Sequence, residues 1–249
     1  MNIFAEFDCH ADTYDEDLNQ ALSLSGEKKD YFARKRVQWL ARRLVRLGEN
    51  PCSALDYGCG IGDTSVFLRE FLRVRTVLGL DVSTRSIERA RSSYSSDACH
   101  FLAFADYQPA ESMDLAYCNG VFHHIPPAQR GSAIAYIYKC LRPGGLFALW
   151  ENNPWNPGTR YVMKRCVFDR DAVTITPPQA VRILSKGGFQ ILGVDYRFFF
   201  PRFLKSLRFL ESGLSWFPLG GQYQVLCRRP GVTSAPAPNP EMGKPLSET

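Results

Sequence analysis

The segment Asp56-Tyr-Gly-Cys-Gly-Ile-Gly62 constrains this chain more than any other. It follows a short apolar run, Ser53-Ala-Leu-Asp-Tyr57, and leads into an amphipathic stretch that begins at Asp63. Three alternating glycines let the backbone turn tightly and let a ligand approach it closely. The helix start that follows offers unpaired N–H groups. Taken alone, such a loop is equally well a plain structural turn. Its spacing narrows the choice. A dinucleotide loop is GxGxxG with pyrophosphate at the helix end. Here the pattern is GxGxG, with an acid two positions before the first glycine. A carboxylate there repels pyrophosphate and suits a ligand that carries an ammonium group.

The rest of the chain supplies a frame for this loop. Val37, Leu40, Leu44 and Leu47 recur at helical spacing and predict a helix over 26–47, stopped by Asn50-Pro51. Strands are predicted at Ser53–Tyr57, Thr76–Asp81, Cys99–Phe104, Met113–Cys118, Leu146–Trp150, Phe189–Tyr196 and Gln222–Cys227. Helices are predicted over 63–73, from a Ser83 or Thr84 cap to Ser92, over 127–140 and over 177–186. Pro143-Gly-Gly145 reads as a turn before the fifth strand. Strands that alternate with helices imply a parallel sheet covered on both faces. Such sheets bind ligands at the carboxyl ends of their strands.

Composition removes several alternatives. The 249 residues suffice for one α/β domain with additions. The net charge of +5 permits an anionic partner but lacks the dense basic stripe of nucleic-acid binders. Acids crowd the first turns, from Glu6 to Asp17, and basic residues follow from Lys28 to Arg46, which reads as two solvated faces. The eight cysteines include no CxxC pair, which excludes zinc-ribbon and thioredoxin-like readings and fits a reducing, cytoplasmic setting. The acidic N-terminus lacks a signal core, and no apolar run approaches the ~20 residues of a membrane span. The stretch from Pro230 onward is rich in Pro, Ser and small residues and reads as a disordered tail.

Two further acids stand at strand ends. Asp81 closes Leu78-Gly-Leu-Asp81 and suits ribose hydroxyls; Asp106 follows the third strand and suits an exocyclic adenine amine. Each alone is as well a helix cap, but three acids after three successive strands argue together.

At this point the chain resembles a family. Asp56–Gly62, Gly79-Leu-Asp-Val-Ser83, Ala105-Asp106, 114–125 and Leu141-Arg-Pro-Gly-Gly145 look like successive motifs of the class I S-adenosylmethionine-dependent methyltransferases, in order, across residues 50–150. The opening Phe7-Asp-Cys-His-Ala-Asp-Thr-Tyr-Asp15 is similar to that of the small-molecule, quinone-biosynthesis-like branch. The resemblance implies an α/β, Rossmann-like doubly wound sheet of seven strands, mostly parallel with the last antiparallel. It implies one domain over 1–229, with an N-terminal helical cap (1–48), a lid (197–221) and a tail (230–249). It implies S-adenosylmethionine as cofactor. Gly58, Cys59, Gly60 and Gly62 would lie against its methionine half, and Asp56 would serve its ammonium. Asp81 and Val82 would hold the ribose, and Asp106 and Tyr107 the adenine. Asn119, Gly120, Val121 and His124 would line the sulfonium side. Tyr14 would close over the cofactor, and Arg36 would meet its carboxylate.

The acceptor side is less legible. His123-His124 follows the fourth strand, so a histidine is the candidate base, with His123 facing the acceptor and Glu151 the candidate carboxylate. Glu151-Asn-Asn-Pro-Trp-Asn156 places Asn152, Asn153, Trp155 and Asn156 at the acceptor rim, with Phe200 and Phe203 from the lid. No metal is expected. The predicted reaction is O-methylation of a small sugar, phenol, quinol or lipid-like acceptor. Alternatives are N-methylation, nucleic-acid or protein methylation, a non-catalytic cofactor-binding module, and a nicotinamide-dependent dehydrogenase. Nucleic acid is disfavoured, because Asn119-Gly-Val-Phe122 lacks the Pro-Pro-aromatic signature of amino-methylating DNA enzymes. The segment 198–210 alternates aromatic and basic residues, so it reads as a lid, as a peripheral contact with anionic lipid, or as core. The chain is expected to act as a monomer or homodimer.

Overall fold

The structure, a computed structural model, describes residues 20, 22–166, 169 and 172–231. Tyr14, the opening motif at 7–15 and most of the proline-rich tail lie outside the described residues.

Helix α1 (Lys29–Leu47) leads into β1 (Ser53–Tyr57), α2 (Asp63–Leu72), β2 (Thr76–Asp81), α3 (Thr84–Tyr94) and β3 (Cys99–Ala103). Then follow β4 (Met113–Asn119), α4 (Arg130–Cys140), β5 (Leu141–Asn152), α5 (Pro157–Arg165), α6 (Pro177–Lys186), β6 (Gln190–Arg197) and β7 (Gln222–Arg228). The strands form one sheet in the order β3-β2-β1-β4-β5-β7-β6. All pairs are parallel except those of β7, which runs antiparallel to both β5 and β6. The predicted seven-stranded, doubly wound sheet is therefore present.

Side-chain alternation along the central strands divides the interior into two cores. Ala54, Leu115, Tyr117, Leu146, Ala148 and Trp150 face α1, α2 and α3, meeting Val37, Leu40, Leu68 and Ile87. Leu55, Tyr57, Ala116, Cys118, Phe147 and Leu149 face α4 and α6, meeting Ile134, Ile137, Ala180 and Leu184. Chain order reverses between β1 and β4, so their carboxyl ends flank the crevice where ligands bind in such sheets.

Local chemistry explains the element boundaries. Ser83 caps α3 by accepting from the Ser86 N–H at 3.1 Å. Thr176 and Gln179 form a reciprocal capping box at α6. Gly26 sits in the left-handed region (φ 71°), so α1 begins at Lys29 rather than at 26. The third strand ends at Ala103, and Phe104–Asp106 form a single 3₁₀ turn that takes Phe104 out of the sheet. Strand β5 already begins at Leu141, so Pro143-Gly-Gly145 lies within it, beside an irregularity between Met113 and Leu115 of β4. Helix α5 was not predicted. The segment reads as a proline-rich turn, but Pro157 occupies the helix's first turn and Asn156 caps it through the Thr159 N–H at 2.9 Å.

Of the seven described cysteines, all but Cys52 are buried. Among the described residues no helix is long and apolar enough to cross a membrane.

Candidate active site

Two cavities of about 610 Å³ each open at the carboxyl edge of the sheet. They share Asn119 and Gly120, at the end of β4, and His124 just beyond.

The first cavity is built on the glycine loop. Gly58, Gly60 and Gly62 all have positive φ, at 73°, 54° and 87°. A Cβ on Gly58 would fall 2.4 Å from Val121 Cγ2, whereas one on Gly60 would meet nothing within 4 Å. Gly58 therefore lets two loops touch, and Gly60 presents bare backbone to the cavity. Asp81 ties the walls together. Its Oδ2 accepts from the Gly60 N–H at 2.8 Å and its Oδ1 from the Ser83 N–H at 2.9 Å. Of the residues expected to meet a cofactor, Gly58, Gly60, Asp81, Val82, Asn119, Gly120, Val121 and His124 line this cavity.

Other expected contacts lie elsewhere. Gly62 backs onto Phe101 and Ala90 and starts α2. The Cys59 thiol is buried and lies near Gly79, away from the cavity wall. Asp106 is exposed, and neither it nor Tyr107 lines the cavity. Phe104, Tyr57 and Tyr136 occupy that end instead; the Phe104 ring lies 4.7 Å from Tyr57 and 5.6 Å from Tyr136. These aromatics were missed because Tyr57 and Phe104 end predicted strands and Tyr136 lies within a predicted helix. Asp56 is buried behind the loop and accepts a hydrogen bond from Ser65 Oγ at 2.7 Å. Burial pushes its pKa up to about 7 against the pull of that hydrogen bond.

The second cavity lies between α1, α5 and the chain that follows β6. Arg36 lines it, not the first cavity. This guanidinium is buried, and among the described residues it donates only to neutral groups, Tyr117 Oη at 3.3 Å and Gln222 Oε1 at 3.0 Å. Gln222 in turn donates to Asn152 at 3.0 Å. Of the predicted acceptor residues, Asn152, Asn156 and Phe200 line the cavity. Asn153 does not: it is fully buried and donates to the carbonyls of Pro218 and Gly220. Trp155 and Phe203 point outward, at 44% and 78% exposure.

The histidines separate in role. His123 Nδ1 lies 2.6 Å from Glu151 Oε2, and its Nε2 lies 3.3 Å from Asp169 Oδ1. Burial opposes its charge, but the two carboxylates overcome burial and hold its pKa near 10. A histidine protonated at neutral pH has no lone pair with which to accept a proton, so the expected base role does not suit His123. His124 is shifted the other way, to about 4, by burial and by the His123 cation. Glu151 is buried and lines neither cavity; it accepts from His123 and from the Phe122 N–H at 2.8 Å. It orients the loop rather than meeting a ligand. Donor atoms of His123, His124 and Asp169 lie within 4.8 Å of one another, a spacing that would admit a cation. The His123–carboxylate pairing already satisfies the group as an ion-pair network. Arg130, unforeseen from sequence, braces the loop by donating to the Phe122 and Ile125 carbonyls at 3.0 Å each.

Among the described residues the buried Asn119 Oδ1 has no hydrogen-bond partner, although it sits where the two cavities meet. An orphaned acceptor of this kind asks for a donor from a ligand. The bare Gly60 backbone and the Asp81 carboxylate are likewise complementary to a nucleoside with an amino-acid arm.

Comparisons with known proteins agree. Residues 55–147 match the family described as "Methyltransferase domain". An uncharacterized methyltransferase of Synechocystis sp. is 33% identical over 100 residues, covering 38% of this chain and 44% of that protein. A trans-aconitate 2-methyltransferase of Methylobacterium radiotolerans is 29% identical over 119 residues, covering 47% of this chain and 45% of that protein. The chain thus spans less than half the length of these curated relatives. A methyltransferase of Haloferax volcanii, solved in complex with the activator Trm112, superposes with a TM-score of 0.62 at 17% identity, over 90% of this chain and 98% of that one. A methyltransferase of Thermotoga maritima gives 0.60 at 17% identity, over 92% and 100%. The fold is that of the class I S-adenosylmethionine-dependent methyltransferases, and S-adenosylmethionine is the cofactor it implies.

Proposed function

We propose that the chain is a methyltransferase that moves the methyl group of S-adenosylmethionine to an acidic oxygen of a small-molecule acceptor. The observation that carries this reading is the meeting of two cavities at Asn119, Gly120 and His124. Asp81, Gly58, Gly60 and Asn119 would hold the cofactor in one, and the acceptor would enter the other. The cofactor supplies an electrophilic methyl group on a good leaving group. What the protein adds is alignment and the exclusion of water. Residues 1–229 act as one domain, with 197–221 roofing the acceptor cavity.

Charge favours an acidic acceptor over a sugar or amine. The acceptor cavity is lined by Lys29, Arg36, His123 and Arg208 against Glu27 and Asp169. Lys29 pairs with Asp63 and Arg208 with Glu27, which leaves Arg36 as the cation with neutral partners. Among the described residues no strong base faces the cavity, since His123 is protonated and His124 is weakly basic. A carboxylate or acidic phenol arrives ionised and needs none. The relatives named for trans-aconitate, itself a carboxylate, support the same reading.

An assay for S-adenosylhomocysteine across carboxylic acids, phenols and quinols, sugar nucleotides and amines tests this. Turnover is expected with the first two classes. Turnover confined to amines or sugars would overturn the acidic acceptor, and cofactor binding without any turnover would favour a binding module. Arg36→Gln should raise KM for the acceptor at least tenfold and leave cofactor affinity unchanged. A fall in cofactor affinity would instead return Arg36 to the cofactor carboxylate.

Asp56 gives a pH signature. Its folded pKa of about 7 lies above the ordinary 3.8, so its contribution to stability is present below pH 3.8 and lost as pH rises through 7. An ammonium group nearby favours the ionised form. Cofactor affinity should therefore rise between pH 6 and 8 in the wild type, and calorimetry on Asp56→Asn should find that slope gone.

A further inference from the structure

The outer surface of the chain between β6 and β7 is apolar, aromatic and basic at once. Phe203, Phe209 and Trp216 are 78%, 75% and 73% exposed, and Leu204, Leu207, Leu210, Phe217 and Leu219 stand exposed beside them. Lone exposed apolar side chains need no explanation, but a contiguous group does.

This exposure is fixed by the backbone. Arg202–Ser212 form a 3₁₀ segment kinked at Leu204. Glu211 anchors it from inside: it is buried, accepts from the Phe199 and Phe200 N–H groups at 3.2 Å each, and pairs with Arg197 at 3.5 Å. Arg208 ties the middle to Glu27 at 2.8 Å and to the Phe200 carbonyl at 3.1 Å. The Tyr196 N–H donates to the Ser215 carbonyl at 2.7 Å, and Asn156 Nδ2 to the Leu219 carbonyl at 2.7 Å. With these polar ties inward, the aromatics are left on the outside.

The last tie sets α5 beside this segment; Trp155, just before α5, and Tyr161 within it add exposed aromatics, with Arg165 stacked over Tyr161 at 4.6 Å. Stretches 153–166 and 199–220 contain six lysines and arginines and one acid, Glu211, which is turned inward. Their excess equals the +5 of the entire chain. Exposed Trp, Phe and Leu among Arg and Lys form the surface that lies in the headgroup region of an anionic bilayer. The inner side of the same segment, Phe198 to Pro201, lines the acceptor cavity.

We propose that this face docks on an anionic lipid surface, which places the mouth of the acceptor cavity against the bilayer. Docking does not depend on the acceptor assignment and is tested without turnover. The full chain is mixed with vesicles of phosphatidylcholine alone or with three parts in ten phosphatidylglycerol, and bound protein is sedimented. Binding is expected to the anionic vesicles and to weaken as salt is raised. Brominated phospholipid should quench tryptophan fluorescence, because Trp155 and Trp216 face outward while Trp39 and Trp150 are buried. The triple variant F203S, F209S, W216S should bind about tenfold less or weaker still, with melting temperature and cofactor affinity unchanged. Lys205→Glu should weaken binding with no change in fold. Absence of binding to anionic vesicles, or equal binding by the triple variant, would overturn the proposal. So would a dimer in light scattering that the triple variant dissolves without any vesicle binding, since a second copy would then cover this face.

Discussion

Replacing Asp81 with alanine should lower S-adenosylmethionine affinity about a hundredfold, because hydrogen bonds to a charged group contribute ~1.5–3 kcal/mol each. Two losses combine. The proposed contact between the carboxylate and the ribose hydroxyls would be lost. It would also release the Gly60 and Ser83 N–H groups, which it now holds at 2.8 and 2.9 Å. The glycine loop would lose its tie to the end of β2 and would have to be ordered by the ligand. Asp81→Asn keeps the shape and one acceptor, so it should fall between wild type and alanine. Titration calorimetry measures both, with circular dichroism as the control for folding. Unchanged affinity in the alanine variant would remove Asp81 from the cofactor site.

Glu151→Ala should be the most destabilising single change, at about 3–5 kcal/mol, the usual effect of removing one member of a buried ion pair. It would leave the His123 cation with Asp169 alone and deprive the Phe122 N–H of its acceptor. The pair also has a pH signature. The folded pKa of His123, near 10, lies above the ordinary 6.5. The stability it contributes is full below pH 6.5 and is lost as pH rises through 10. Wild-type stability from urea unfolding should thus decline between pH 7 and 10. Glu151→Gln, which retains the shape, should flatten that decline. A slope that persisted in Glu151→Gln would mean that Asp169 alone holds the proton on His123.

The proposed cofactor side of this protein was legible because sheet topology does the positioning. Asp81, Asn119, Gly120 and Val121 stand at or just after strand ends, and a doubly wound sheet brings such positions together whatever loops intervene. The acceptor side depends on contacts between distant segments, and periodicity says nothing about those. Asp169 reaches His123 from 46 positions away. Arg36 sits on a helix whose apolar spacing locates its buried face but not which cavity that face closes. Glu151 lies in a strand buried on both sides, where continuous apolar sequence conceals which way each side chain turns. Phe203 and Trp155 read as pocket residues because aromatics are usually placed inward; only the inward ties of Glu211 and Asn156 send them out.

The common wall of Asn119, Gly120 and His124 restricts how such a protein can change. Thermodynamic linkage requires that whatever one ligand does to the grip on the other is returned by the same factor. A substitution at these three positions to suit a new acceptor would therefore be felt by the cofactor as well. New specificity is freer to arise on the far side of the acceptor cavity, in α1, α5 and Phe198 to Pro201, where the glycine loop has no stake. Divergence in this fold has a hinge line, and it runs through the end of β4.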